Sequence, residues 1–110
     1  SYGGGFLPYA AYRIATVAGN GDRDLGLERL GRFYFDLSSS CTPYSMLSLL
    51  EFADETKLLF GSDYPYADDE ETAESIAFFT DDRSLSPKYK SNINRMNALE
   101  LFPRFKEYSE

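Results

Sequence analysis

An α/β fold built on parallel strands is what this chain predicts, and three observations carry it. Two short apolar runs, Phe33-Tyr34-Phe35-Asp36-Leu37 and Lys57-Leu58-Leu59-Phe60-Gly61, have the compactness of strands. Stretches with helical spacing lie before, between and after them. Recognisable caps open several of those stretches, and no internal repeat or low-complexity linker breaks the alternation. Strands that alternate with helices run parallel and are joined by crossovers.

In chain order, Gly3-Gly4-Gly5 opens a glycine-rich loop. Pro8 to Val17 reads as a helix closed by Gly19-Asn20-Gly21. Asp22 is placed to cap a second, shorter helix over Arg23 to Leu30, ended by Gly31. The first strand follows, with its three aromatics assigned to the core rather than to a stacking platform. Ser38-Ser39-Ser40-Cys41 is the loop after it. Thr42 before Pro43 is an N-cap followed by proline at the first helical position, and the helix over Pro43 to Ala53 carries Met46, Leu47, Leu49, Leu50 and Phe52 as a wide apolar face. After the second strand, Asp68 with Glu71 three residues on resembles a capping box. Its helix runs to about Phe79, with Ile76, Ala77 and Phe79 turned inward. Ser86-Pro87 repeats the cap-plus-proline signal, and a last helical region with Ile93, Met96, Leu99 and Leu101 stops at Pro103. Asn92, Asn94 and Asn97 read as caps and polar helix face.

The totals set limits. A chain of 110 residues is a single domain's worth, taken as one unit over 1–110. An apolar fraction of 43% with 16% aromatic residues is globular in character. A net charge of −7 argues against nucleic acid as a partner, because neutralising phosphates takes a basic face. No apolar run approaches the roughly 20 residues that span a bilayer, so no membrane partner is expected. The lone Cys41 cannot form an intrachain disulfide, which fits a reducing, cytoplasmic setting. No basic-then-apolar secretory signal is visible, though with Ser1 as the first residue a targeting segment upstream is left open. The chain contains no histidine. A Cys–His nucleophile and a complete zinc site of ordinary type are therefore both excluded within it.

The candidate chemistry centres on Leu58-Leu59-Phe60-Gly61-Ser62-Asp63-Tyr64-Pro65. A buried strand breaks at a glycine and delivers one carboxylate, Asp63, just past its end. In β/α barrels the loops after the strands form the active-site face, and a carboxylate mounted there binds a metal or moves a proton. Gly-Ser-Asp is equally ordinary turn chemistry. The acidic run Asp68, Asp69, Glu70, Glu71 and Glu74 fits a cation site or the solvated first turn of a helix. Gly3-Gly4-Gly5 permits close approach of backbone or substrate, or phosphate cradling without the Lys-Ser/Thr of a P-loop. Arg13 suits either a substrate carboxylate or a helix-surface ion pair. With two or three strands, a parallel sheet leaves open edges through which the chain could self-associate or pair with a partner.

Three segments taken in order resemble the C-terminal part of the amidohydrolase-related decarboxylases, a group that includes methylsalicylate and aminocarboxymuconate-semialdehyde decarboxylases. They are Gly3-Gly4-Gly5-Phe6-Leu7-Pro8-Tyr9 with Arg13 downstream, Leu58 through Pro65, and Asn97-Ala98-Leu99-Glu100-Leu101-Phe102-Pro103. Tyr34-Phe35-Asp36 before a serine-rich loop is similar to the family's seventh strand. The resemblance implies a partial (β/α)8 barrel: the last two to three β/α units plus terminal helices. It implies a carboxy-lyase or hydrolase that acts on small aromatic or unsaturated carboxylic acids with a divalent metal, commonly zinc. Asp63 takes the place of a metal ligand that also has a part in proton transfer. The family's remaining ligands, a His-x-His pair and a further His, have no counterpart here. Tyr2 falls where the family places a catalytic histidine. A phenol, with an ordinary pKa near about 10 against about 6.5 for imidazole, shuttles protons poorly near neutrality. Tyr2 is either that altered catalyst or a plain terminal aromatic. The chain is then expected to be inactive alone, with zinc not held by its residues only; the alternative is a non-catalytic truncated paralogue that serves as an interaction or structural remnant.

Overall fold

The computed structural model describes residues 2–108. After a 3₁₀ turn at Tyr2–Gly4 come helices α1 (Leu7–Ala18) and α2 (Arg23–Gly31), strand β1 (Phe35–Asp36), α3 (Pro43–Leu50), a 3₁₀ turn at Glu55–Lys57, β2 (Leu58–Leu59) and α4 (Asp69–Asp81). A continuous helical rod then runs through α5 (Pro87–Ser91), a π turn (Asn92–Met96) and α6 (Asn97–Leu101), before a 3₁₀ segment at Pro103–Tyr108. The strands pair in parallel, Phe35 beside Leu58 and Asp36 beside Leu59. The mixed α/β character and parallel pairing expected from the alternation are present. Each strand is only two residues long, much shorter than the five-residue runs suggested.

Register explains which face is packed. Phe35 and Leu58 are both buried, whereas their neighbours Asp36 and Leu59 point to the opposite face and are half-buried. Phe35, Leu37, Met46, Leu49, Leu58, Phe79 and Ile93 form one core between the sheet, α3, α4 and the C-terminal rod. Phe35 meets Phe52 edge-on, with centroids 5.9 Å apart.

Three caps act as the sequence indicates. Asp22 accepts from the Leu25 N–H at 3.0 Å, Asp68 from Glu71 at 2.8 Å and Ser86 from Tyr89 at 3.2 Å. Thr42 does not: its hydroxyl meets Ser45 Oγ, which donates to the Ser40 carbonyl. Other assignments are corrected. Phe33 is 59% exposed and Tyr34 is also exposed, because β1 begins only at Phe35 and its two predecessors lie beyond the packed register. Ile76 and Ala77 are exposed, and Phe79 alone of α4 is buried. Met96 is exposed while Asn97 is 6% exposed, since the π turn advances the buried face of the rod onto Ile93 and Asn97.

Asn97 has a structural task that its residue type did not announce. Its Nδ2 donates to the Glu55 carbonyl at 2.7 Å and the Leu58 carbonyl at 2.9 Å. The Phe60 N–H donates to the Ile93 carbonyl at 3.0 Å. Leu58 and Phe60 carry the backbone groups on the side of β2 away from β1, so the rod occupies part of that strand edge. No helix among the described residues is long and apolar enough to cross a membrane.

Candidate functional site at the strand ends

Both strands end on one side of the molecule. Beyond β1 the chain runs through Leu37 into the serine-rich loop, where Asp36 Oδ1 accepts from the Ser38 N–H at 3.2 Å. Beyond β2 it passes Phe60-Gly61-Ser62 to Asp63. Asp63 has φ +63°, a left-handed conformation that aspartate tolerates better than most residues. Its carbonyl accepts from the N–H groups of Tyr66 and Ala67, at 2.8 and 3.0 Å. Turn chemistry and strand-end placement, alternatives in the sequence, are thus both true of Asp63: the turn is the device that holds the side chain.

The structure brings Tyr2 and Asp63 together across 61 residues of sequence. The Tyr2 hydroxyl donates to the Asp63 carboxylate, equidistant at 3.1 Å from both oxygens. That hydrogen bond, then the charge of Asp63 and more weakly that of Asp36, push the Tyr2 phenol above its ordinary pKa near 10. Tyr2 therefore stays protonated throughout the neutral range and acts as a donor to the carboxylate. The glycine loop brings it there: Gly3 has φ +62°, and a Cβ on Gly3 would lie 2.6 Å from Ser40 Cβ. The loop is thereby seated against the β1 loop. Asp36 is the residue of this site that the sequence reading did not single out; its place next to the serine loop was the available signal.

The other candidates fall elsewhere. The acidic run occupies the first turns of α4 with its carboxylates exposed, and Asp68 is consumed as the cap. Arg13 is exposed on α1 and forms no ion pair among the described residues. Cys41 is buried, which pushes its thiol above its usual pKa.

A catalytic zinc takes about three protein ligands. Among the described residues no group of three His, Cys, Asp or Glu side chains converges. Asp63 offers one hard carboxylate, already bonded by a phenol. The residues of this chain alone do not fit a catalytic metal.

Two parallel strands between helices, with a hydrogen-bonded carboxylate and phenol beyond their carboxyl ends, define a helix-rich α/β protein with a small parallel sheet. Comparison with known proteins makes the class particular. The chain is 38% identical over 112 residues to a 6-methylsalicylic acid decarboxylase of Penicillium expansum, a match that takes in 96% of the chain. It is 34% identical to a 6-methylsalicylic acid decarboxylase of Aspergillus aculeatus, and 32% to a decarboxylase of Penicillium terrestre. A crystal structure of an amidohydrolase II superposes on 91% of the chain with a TM-score of 0.79 and 26% identity. No family model matches. The chain is similar over nearly its whole length to one part of the amidohydrolase-related decarboxylases, and it spans about a third of the length of the curated relatives it matches.

Proposed function

We propose that this chain is the part of a (β/α)8-barrel decarboxylase that carries the strand-end carboxylate, acting on small aromatic carboxylic acids of the 6-methylsalicylate type. The observation that carries this reading is the Tyr2–Asp63 pair, poised at the carboxyl ends of parallel strands in a chain with decarboxylase relatives. In a complete barrel, Asp63 would be one ligand of a divalent metal, zinc in the family pattern; the chain would need the other ligands from elsewhere.

Non-oxidative decarboxylation exchanges carbon dioxide for a proton at one ring carbon. The residues present here can hold and orient. Tyr2 fixes the Asp63 carboxylate by a bond to both oxygens, and the Asp63 carbonyl ties the following turn into the same unit. With its pKa raised, Tyr2 is a poor proton shuttle near neutrality. By itself the chain does not turn over.

Fragment complementation tests this. The chain would be co-expressed with the Penicillium expansum relative lacking its matched third, and loss of 6-methylsalicylate followed by chromatography. Activity is expected only with both pieces, and is expected to fall at least about a hundredfold with Asp63→Asn. Turnover by the chain alone, or complementation indifferent to Asp63→Asn, would overturn the proposal.

A further inference from the structure

The serine-rich loop after β1 touches both halves of the Tyr2–Asp63 pair. On one side it meets the glycine turn that carries Tyr2. A Cβ on Gly3 would lie 2.6 Å from Ser40 Cβ and 2.7 Å from Ser40 Oγ. Apart from Gly3 and its chain neighbours, no other heavy atom of the described residues would stand within 4 Å of it. On the other side the loop meets the segment that carries Asp63. A Cβ on Gly61 would collide with Ser38 Oγ, with Asp36 Oδ1 at 3.6 Å. Two glycines therefore let two backbones close on one loop, and each is a near neighbour of one member of the pair: Gly3 directly follows Tyr2, and Gly61 comes two residues before Asp63.

The loop is braced from within. The Leu37 N–H continues the strand ladder to the Leu59 carbonyl at 2.9 Å, and the Ser40 N–H donates to the Leu37 carbonyl at 2.9 Å. Asp36 Oδ1 accepts from the Ser38 N–H, and Ser45 Oγ on α3 donates to the Ser40 carbonyl at 2.7 Å. Ser40 is buried, so its short side chain is fixed by packing. Tyr2, by contrast, is 52% exposed. A hydrogen bond in reach of water contributes too little to hold a tyrosine ring in one place, so the backbone beneath the ring has to set its position.

We infer that Ser38 and Ser40 are positioning residues of the strand-end site: Ser40 sets the phenol through Gly3, Ser38 sets the carboxylate through Gly61, and the loop between them keeps the two in register. Neither serine acts on a substrate in this account. Each supplies a fixed surface against which a backbone rests, which is how a pair of reacting groups is held to fractions of an ångström. All of these contacts lie within the chain. The inference rests on reading the Tyr2–Asp63 pair as the site, and it adds what aligns that pair.

The test reads the hydrogen bond itself, at fixed neutral pH, in the full chain labelled with ¹³C at the aspartate Cγ atoms. The Asp63 resonance is identified by its loss in Asp63→Asn. In the native chain Tyr2→Phe should shift that resonance, because the phenol proton leaves the carboxylate. In Gly3→Ala the same Tyr2→Phe change should shift it by less than about a quarter as much, the collision with Ser40 having moved the phenol away. Adding Ser40→Gly should restore the shift, since the new methyl group takes the space that the serine side chain leaves. That rescue keeps alanine at φ +62° and so separates the contact from left-handed strain. Gly61→Ala should reduce the shift less, because the Ser38 hydroxyl can rotate, and Ser38→Ala should restore it. Should Gly3→Ala fail to fold by far-ultraviolet circular dichroism, Ser40→Ala and Ser40→Gly decide: the first keeps the Cβ on which Gly3 rests and keeps the shift, and the second removes it and cuts the shift at least about twofold. No shift with Tyr2→Phe in the native chain, a shift that survives Gly3→Ala, or one that Ser40→Gly does not restore would overturn the inference. A shift unreduced by Gly61→Ala, or not restored by Ser38→Ala, would overturn it for Ser38. None of these measurements reads turnover, so a negative fragment complementation leaves this result standing on its own.

Discussion

Asn97→Ala is the substitution that most directly tests how this fold is held. The wild-type amide donates to two main-chain carbonyls that precede and begin β2, at 2.7 and 2.9 Å. A typical hydrogen bond contributes about 1 kcal/mol net, whereas a buried acceptor left without a donor costs about 1–3 kcal/mol. The bond to Leu58 is buried and that residue is fully inaccessible, so its carbonyl meets no replacement water; the Glu55 carbonyl is half-buried and can be hydrated. The cost is therefore unequal: about 2–3 kcal/mol at Leu58 and at most about 1 kcal/mol at Glu55, together about 3 kcal/mol. Small domains have about 5–15 kcal/mol of stability, so this is a large share, equivalent to roughly 12 °C in Tm. Urea unfolding followed by circular dichroism measures it, with Asn94→Ala, an exposed neighbour on the same rod, as the control expected within about 0.5 kcal/mol of wild type. Amide exchange at Phe60, whose N–H bonds to Ile93, should accelerate in Asn97→Ala if the rod lifts from the strand. An Asn97→Ala cost below about 0.5 kcal/mol, or equal to that of Asn94→Ala, would refute the reasoning.

Three further outcomes follow from particular contacts. Gly26→Ala should destabilise by about 3 kcal/mol or more in the same urea assay, because an added Cβ would stand 1.8 Å from the Ala15 carbonyl where α1 and α2 cross, and backbone cannot step aside as a side chain can. The Tyr2 phenol is raised, so above pH about 10 the unfolded chain loses that proton first and stability falls as pH rises through the folded value; with ¹³Cζ-tyrosine labelling, Asp63→Asn should move the Tyr2 resonance's titration downwards. Asp54, held below its ordinary value by the Thr56 N–H and hydroxyl, contributes stability above about pH 4 that disappears as pH falls through its lower folded value; Asp54→Asn should therefore flatten part of the acid limb of a pH–stability curve.

How legible the chain was depended on the range of each interaction. Capping is local: Asp22, Asp68 and Ser86 each bond three residues ahead, and a pattern of cap residue plus helical spacing shows them without a structure. Thr42 carried the same pattern, yet its hydroxyl meets Ser45 Oγ and caps no helix N–H. Burial is not local. Phe33 and Tyr34 have strand character as strong as that of Phe35, yet only Phe35 has Leu58 beside it. Ile76 and Ala77 have helical spacing suited to a core that α4 meets only through Phe79.

The strand-end site shows the same division and explains why its parts were unequally visible. Asp63 could be picked out because a strand, a glycine and a carboxylate in succession are a local signature. Its partner could not be found that way: Tyr2 lies 61 residues earlier and reaches the carboxylate only because Gly3 adopts φ +62° against Ser40. Resemblance to a family placed Tyr2 at a catalytic position; geometry shows what a tyrosine does there, which is to donate to the carboxylate rather than exchange protons with it. A histidine at position 2 would have an ordinary pKa near about 6.5 and could alternate between donor and acceptor across neutrality. The phenol lacks that alternation, and its hydrogen bond to Asp63 moves it further from it. At position 2 the phenol is thus suited to holding the Asp63 carboxylate rather than to exchanging protons near neutrality.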